Sequence, residues 1–241
     1  MNRVVQRRLA LAVLLAVPLV GRCVDWQAAS DAMSRRMGEF SAYLDNAFRK
    51  RDGGFAGAKD KIAVICAGKK AGTGFVVREN DRCWLYTNAH VVDGVQTCDV
   101  RATLLNDTVL ALGERQQARG RDLVRFALAG PMPAFSQERN LPDIGEAIVV
   151  LGNSDGRGVV TEIRGRILGV GPKELEIDAP FVAGNSGSPV LNRSGRVVGI
   201  ASYLRNCRNG ADWSKRDTRF NGIRRFALRP SGLDWISQPA P

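Results

Sequence analysis

The segment best suited to covalent chemistry is Ala183-Gly184-Asn185-Ser186-Gly187-Ser188-Pro189-Val190. Glycines flanking a serine permit backbone conformations that other residues resist, so the hydroxyl can be exposed while amide N–H groups turn inward. In the Gly184, Asn185, Ser186 run, the N–H groups of Gly184 and Ser186 could then converge on a developing oxyanion. A serine hydroxyl needs a neighbouring base to become a competent nucleophile. The chain holds one histidine, His90, in Tyr86-Thr87-Asn88-Ala89-His90-Val91-Val92, and imidazole suits proton transfer near neutral pH. An isolated Gly/Ser turn or an isolated histidine is ordinarily structural. The two together fit acyl transfer to Ser186 with His90 as general base.

A third group is required, because a buried carboxylate fixes the imidazole tautomer and stabilises its charged form. Asp122 opens Asp122-Leu123-Val124-Arg125-Phe126-Ala127-Leu128, a turn-to-strand transition between His90 and Ser186. Asp93 and Asp99 lie in the histidine's own loop, and Asp155 lies in a glycine-rich turn, so Asp122 is the best choice.

These residues need a scaffold that joins distant segments. From Ile62 onward, short β-rich runs alternate with Gly, Asn or Asp turns: Ile62–Cys66, Gly72–Val77, Cys83–Thr87, Cys98–Leu104, Val109–Leu112, Leu123–Leu128 and Ala147–Leu151. A second set covers Val159–Val170, Leu175–Ile177, Ser188–Leu191, Val197–Tyr203 and Gly222–Leu228. Many short strands at this spacing predict an all-β sandwich or barrel fold. The break near Pro131–Pro142 divides them into two barrels, about 58–135 and 142–229, within a domain spanning 58–241. Ser231, after Pro230, is expected to cap a short C-terminal helix ending near Ile236. Trp26, Met33, Met37, Phe40, Leu44 and Phe48 recur at helical spacing between charged residues, so 24–57 is expected to be an amphipathic helical extension.

Residues 1–23 carry Arg3, Arg7 and Arg8 before an apolar run from Leu9 to Gly21. That run is short against the roughly 20 residues of a membrane span and fits a signal peptide, with a membrane anchor as the alternative. The chain is therefore expected to be exported, periplasmic or secreted, with a membrane tether through its N-terminus in the second case. Without residues 1–23 and their four arginines, net charge falls from +11 to +7. Basic residues concentrate at Arg205, Arg208, Lys215, Arg216, Arg219, Arg224, Arg225 and Arg229. No aromatic interleaving or nucleic-acid motif accompanies them, which favours a solvated face over a nucleic-acid site. Cys66, Cys83, Cys98 and Cys207 are an even set suited to two disulfides in an oxidising compartment. Cys83 with Cys98 would close the histidine segment, worth about 3 kcal/mol, and Cys66 would pair with Cys207. No C-x-x-C pair exists, so neither a metal site nor a cofactor is expected.

The histidine, aspartate and serine segments occur in the order of the chymotrypsin-like (trypsin-like) serine proteases. From about Gly72 to Leu228 the chain resembles their compact HtrA/DegP-type and glutamyl-endopeptidase-like bacterial branch. Gly72-Thr73-Gly74-Phe75, Gly152-Asn153, Asp178-Ala179 and Gly222-Ile223…Phe226-Ala227-Leu228 carry the likeness beyond the three catalytic segments. It implies two antiparallel six-stranded β-barrels with the triad between them, and an endopeptidase acting on exported or envelope proteins. Ser188 stands where a second glycine is commoner, and G-N-S-G-S resembles the glutamyl-endopeptidase form. Arg125 stands where a small or apolar residue is usual. Asn185 replaces the aspartate that digestive relatives pair with a new N-terminus, so activation by that ion pair is not expected. No PDZ-like region is recognisable.

By the same resemblance, the walls of the first specificity pocket are Ala179, Pro180 and Phe181, with Ala201, Ser202 and Tyr203 opposite. None is charged, which implies a broad preference for small or medium apolar residues before the cut bond. The competing expectation is a protease-like binding module with little turnover.

Overall fold

The computed structural model describes residues 57–58, 60–207, 220 and 222–238. The expected signal or anchor, most of the helical extension, and Arg208, Lys215, Arg216 and Arg219 lie outside them. Among the described residues thirteen strands run in chain order: β1 (Ile62–Ala67), β2 (Lys70–Glu79), β3 (Arg82–Thr87), β4 (Val100–Leu104), β5 (Leu112–Ala118), β6 (Val124–Leu128), β7 (Ala147–Asn153), β8 (Val160–Val170), β9 (Glu174–Ile177), β10 (Pro189–Leu191), β11 (Val197–Asn206), β12 (Ile223–Leu228) and β13 (Trp235–Ser237). A single helical turn, α1 (Ala89–Val92), follows β3.

The all-β expectation holds, but only one barrel of the expected pair closes. Strands β7 to β12 form a closed six-stranded barrel in the order β10-β11-β12-β9-β8-β7, while β1 to β6 join with β13 in an open seven-stranded sheet, β13-β5-β6-β3-β2-β1-β4. Local chemistry sets several connections. Asn80 and Asp81 both have positive φ, matching the two-residue turn that joins β2 to β3 with Glu79 opposite Arg82. In β6, Val124, Phe126 and Leu128 are buried while Arg125 and Ala127 face the other side, the period-two pattern of a strand with one face on a core.

The seventh sheet strand corrects the expected C-terminal helix. Trp235, Ile236 and Ser237 pair with Ala118, Gln117 and Gln116 of β5. Pro230 and Gly232, the latter at φ +65°, leave a segment too short to sustain an isolated helix. The β5 edge instead supplies partners: Arg119 N–H donates to the Asp234 carbonyl at 2.8 Å and Gln238 N–H to the Arg115 carbonyl at 2.9 Å. Trp235 also meets the Tyr86 ring edge to face, with centroids 5.3 Å apart.

The expected disulfides are likewise absent: all four described cysteines are free thiols. Cys83 is buried at the start of β3 with its thiol facing the Met132 carbonyl at 3.8 Å, whereas Cys98 is solvent-exposed, so the two side chains point into different environments. Cys66 is exposed on β1, and Cys207, after β11, directs its sulfur toward the Arg205 carbonyl.

Burial falls into three cores. One fills the sheet and one fills the barrel around Ile148, Val150, Ile167, Leu175, Ile177, Val190 and Ala227. The third joins sheet and barrel, with Phe75, Val77, Tyr86 and Leu123 against Leu151, Leu191, Ile200 and Leu228. The candidate site lies where hydrogen bonds also cross this junction.

Candidate active site

Ser186 sits in the turn before β10, where the backbone conformation requires glycine. Gly184 and Gly187 have φ of +85° and +86°. A Cβ at Gly184 would collide with the Asn153 carbonyl and the Gly156 amide, and one at Gly187 with the Thr73 carbonyl and the Thr87 hydroxyl. Peptide planarity then orients the amides. The Ala183 carbonyl accepts from Asp155 N–H at 2.8 Å and the Asn185 carbonyl from Ser188 N–H at 3.0 Å. The N–H groups of Gly184 and Ser186, in those same peptide units, point the opposite way. Neither donates to a backbone carbonyl among the described residues.

Asn185 departs from its expected place among the oxyanion donors. Its N–H donates to the Val182 carbonyl at 3.1 Å, and its buried side chain bonds Ser154 Oγ at 3.1 Å. It braces the turn. Thr73, from the Gly-Thr-Gly-Phe segment, adds the link to the sheet: its N–H donates to the Ser186 carbonyl and its hydroxyl to the Gly184 carbonyl, each at 2.9 Å.

His90 occupies α1, anchored by buried Ala89, Val91 and Val92 while its own side chain stays accessible. Lys70 Nζ holds the turn from outside by donating to the His90 and Asp93 carbonyls at 3.0 and 2.9 Å. Asp122 lies just before β6, 2.6 Å from His90 Nδ1 through Oδ2, and its Oδ1 accepts from His90 N–H at 2.9 Å. An ionised carboxylate only accepts, so the Nδ1 proton faces Asp122 and Nε2 is left as the acceptor nitrogen. Burial pushes the Asp122 carboxyl up, but the hydrogen bonds and charge of His90 and a bond from Ser202 outweigh it, holding the carboxyl below its usual range. The alternative aspartates do not join this pair; Asp155 is used through its backbone at Ala183.

Ser202, a pocket-wall candidate by resemblance, bridges Asp122 and Ser186. Its hydroxyl donates to Asp122 Oδ2 at 3.0 Å, and its carbonyl accepts from Ser186 Oγ at 3.3 Å. Asn88 Nδ2 completes the cluster, donating to the Asp122 carbonyl at 2.8 Å and to Ser202 Oγ at 3.2 Å. A continuous chain of contacts thus runs from Ser186 through Ser202 and Asp122 to His90. No sequence motif around Ser202 signals this role.

The other pocket candidates separate. Ala179, Phe181 and Ala201 are buried in the barrel core, whereas Pro180 is exposed. Tyr203 stacks on Phe226 with centroids 5.0 Å apart and donates to Glu174 Oε2 at 2.8 Å. Burial and the Glu174 carboxylate push its phenol up to about 12. The unusual Arg125 is also accounted for. It projects away from Asp122, pairs with Glu79 at 2.6 Å, and lies 3.9 and 4.3 Å from the rings of Trp84 and Trp235.

The chain resembles known proteins in sequence and in fold. A family model described as a trypsin-like peptidase domain matches residues 72–200. A probable periplasmic serine endoprotease, DegP-like, from Brucella suis is 33% identical over 146 residues, covering 55% of this chain and 27% of its own length. The serine protease Do-like HtrB of Bacillus subtilis is 31% identical over 146 residues, covering 52% and 31%. The chain therefore spans about a third or less of the length of these relatives. Among solved structures, a Mycobacterium tuberculosis protease in its active form is similar in fold, with a TM-score of 0.58 at 22% identity, covering 78% of this chain and 86% of that one.

Proposed function

The chain belongs to the trypsin-like peptidase family, and from that premise we propose that it is a serine endopeptidase using Ser186, His90 and Asp122. The observation that carries this reading is the 2.6 Å contact between His90 Nδ1 and Asp122 Oδ2, joined through Ser202 to Ser186. In the proposed reaction, Ser186 Oγ leaves its bond to Ser202 and attacks the scissile carbonyl as His90 Nε2 takes its proton. The oxygen acquires negative charge and accepts hydrogen bonds from the N–H groups of Gly184 and Ser186. His90 returns the proton to the leaving amine, and the acyl-enzyme remains. Water then repeats the attack with the same base, releasing the acid and restoring Ser186.

Substrates are proposed to be proteins or peptides of an extracytoplasmic compartment. The basic-then-apolar N-terminus supports export, as does the periplasmic description of the Brucella relative. The N-terminal segment acts as a signal or an anchor. A fluorophosphonate probe tests the assignment. Stoichiometric labelling at Ser186, lost in His90→Ala, is expected. A wild-type chain that stays unlabelled and cleaves no peptide library would instead mark a binding module with this fold.

A further inference from the structure

Arg225 stands on β12 between two residues with opposite roles. Arg224 faces outward and makes two bonds to Glu176, at 2.9 and 2.7 Å. Ala227 faces inward and is fully buried in the barrel core. Strand alternation puts Arg225 on the Ala227 side, and its partner across the sheet, Ile177, belongs to the same core. The half-buried Arg225 side chain therefore enters the end of the barrel, where Nε donates to the Phe181 carbonyl at 3.0 Å. Phe181 lies on the segment leading to Ser186. On the other side, Arg225 is opposite Leu204, two residues beyond the Ser202 carbonyl that holds the Ser186 hydroxyl.

Among the described residues the cation has no counterion. Of the nearby acids, Glu176 is held by Arg224, Glu174 by Tyr203, and Asp178 by the Arg166 amide. Arg225 forms no ion pair, and its two Nη groups make no hydrogen bond, among the described residues. A guanidinium fixed at Nε with both Nη groups free presents a fork suited to a carboxylate. A half-buried charge without a partner is costly unless a ligand supplies one.

We propose that Arg225 is a specificity-determining residue that selects an acidic side chain, Glu or Asp, before the scissile bond. The inference rests on the serine endopeptidase reading above. It replaces the apolar preference expected from Ala179, Pro180, Phe181, Ala201, Ser202 and Tyr203, because the charge comes from a third strand.

The test compares peptides that differ only in Glu against Gln, and in Asp against Asn, at that position. Each ratio of kcat/KM is read on one enzyme, so any general loss of activity cancels. The wild type should prefer the acid by about 10- to 100-fold, the range of a hydrogen-bonded charge. Arg225→Ala should bring the ratio to near one, and Arg225→Lys should retain part of it. Equal cleavage of both members by the wild type overturns the proposal, as does an unchanged ratio in Arg225→Ala. Should Arg225→Ala fail to fold, the wild-type ratio and Arg225→Lys still decide it. Fluorophosphonate labelling of the wild type separates the two levels: labelling without acid preference removes this inference alone, and no labelling with no cleavage removes the endopeptidase reading and this inference together.

Discussion

Ser202 donates its hydroxyl to Asp122 Oδ2 at 3.0 Å across 80 residues of chain. The bond gives the carboxylate a partner besides His90, and the same residue holds the Ser186 hydroxyl through its carbonyl. Ser202→Ala keeps the carbonyl and removes the hydroxyl. It should lower kcat/KM by roughly tenfold, as expected for loss of one bond to a charged group, with Ser186 labelling still detectable. Steady-state kinetics on one peptide decide this, and unchanged kcat/KM would reduce the bond to scaffolding.

The proposed Ser186 and His90 act as a unit, so their removal should not be additive. Ser186→Ala and His90→Ala are each expected to reduce kcat by several powers of ten, and the double variant by little more than either alone. His90 is the sole histidine of the chain. Full turnover in His90→Ala would therefore leave the mechanism without its base.

The proposed role of Asp122 would link catalysis to acid stability. Its carboxyl titrates lower in the fold than in the unfolded chain, where the reference is near 3.9. The stabilisation is fully present above that reference and is lost as pH falls through the lower, folded value. Urea unfolding at successively lower pH from 6 should show wild type progressively losing this increment below about pH 4 while Asp122→Asn does not, so the two curves approach each other in acid. At neutral pH the same variant should lose about four powers of ten in kcat, through the wrong imidazole tautomer.

Gly187 gives a steric test of the nucleophile turn. Its φ is +86°, and an added methyl would strike the Thr73 carbonyl and the Thr87 hydroxyl, which are themselves bonded at 2.7 Å. Gly187→Ala should cost at least about 1–3 kcal/mol of stability and abolish peptide cleavage. A variant with wild-type Tm and activity would show that the turn can relax.

What the sequence displayed and what it concealed follow from the range of the interactions. Ser186, His90 and Asp122 stand out as candidates because the proposed chemistry demands particular residue types in recognisable local frames. Ser202 was not, since its role exists only when β11 meets the start of β6. Arg224 and Arg225 look alike in sequence, and strand alternation alone sends one to Glu176 and the other to Phe181. Strand β5 was expected only as the apolar stretch Val109–Leu112. It actually runs through Gly113-Glu114-Arg115-Gln116-Gln117, whose polar character hides a strand that pairs on both sides.

That pairing makes β13 the last test, because a segment that reads as a short helix should contribute stability as a strand. Trp235 packs edge to face on Tyr86, and its ring centroid lies 4.3 Å from the Arg125 guanidinium, which is also 3.9 Å from the Trp84 ring. The Arg125–Glu79 pair beneath is largely shielded, at 12% and 27% side-chain exposure, so removing the indole opens both a packing defect and an ion pair to water. Trp235→Ala should cost about 2–4 kcal/mol, seen as a lower urea midpoint at unchanged m. Trp235→Phe should recover part of it by keeping a ring over Arg125. Asp234→Thr removes an acid that a helix capped by Ser231 would favour in its first turn and supplies a residue suited to a strand, so it should be nearly neutral, since the Asp234 carboxylate makes an exposed pair with Arg119. Loss of stability in Asp234→Thr with none in Trp235→Ala would restore the helix and remove β13 from the sheet.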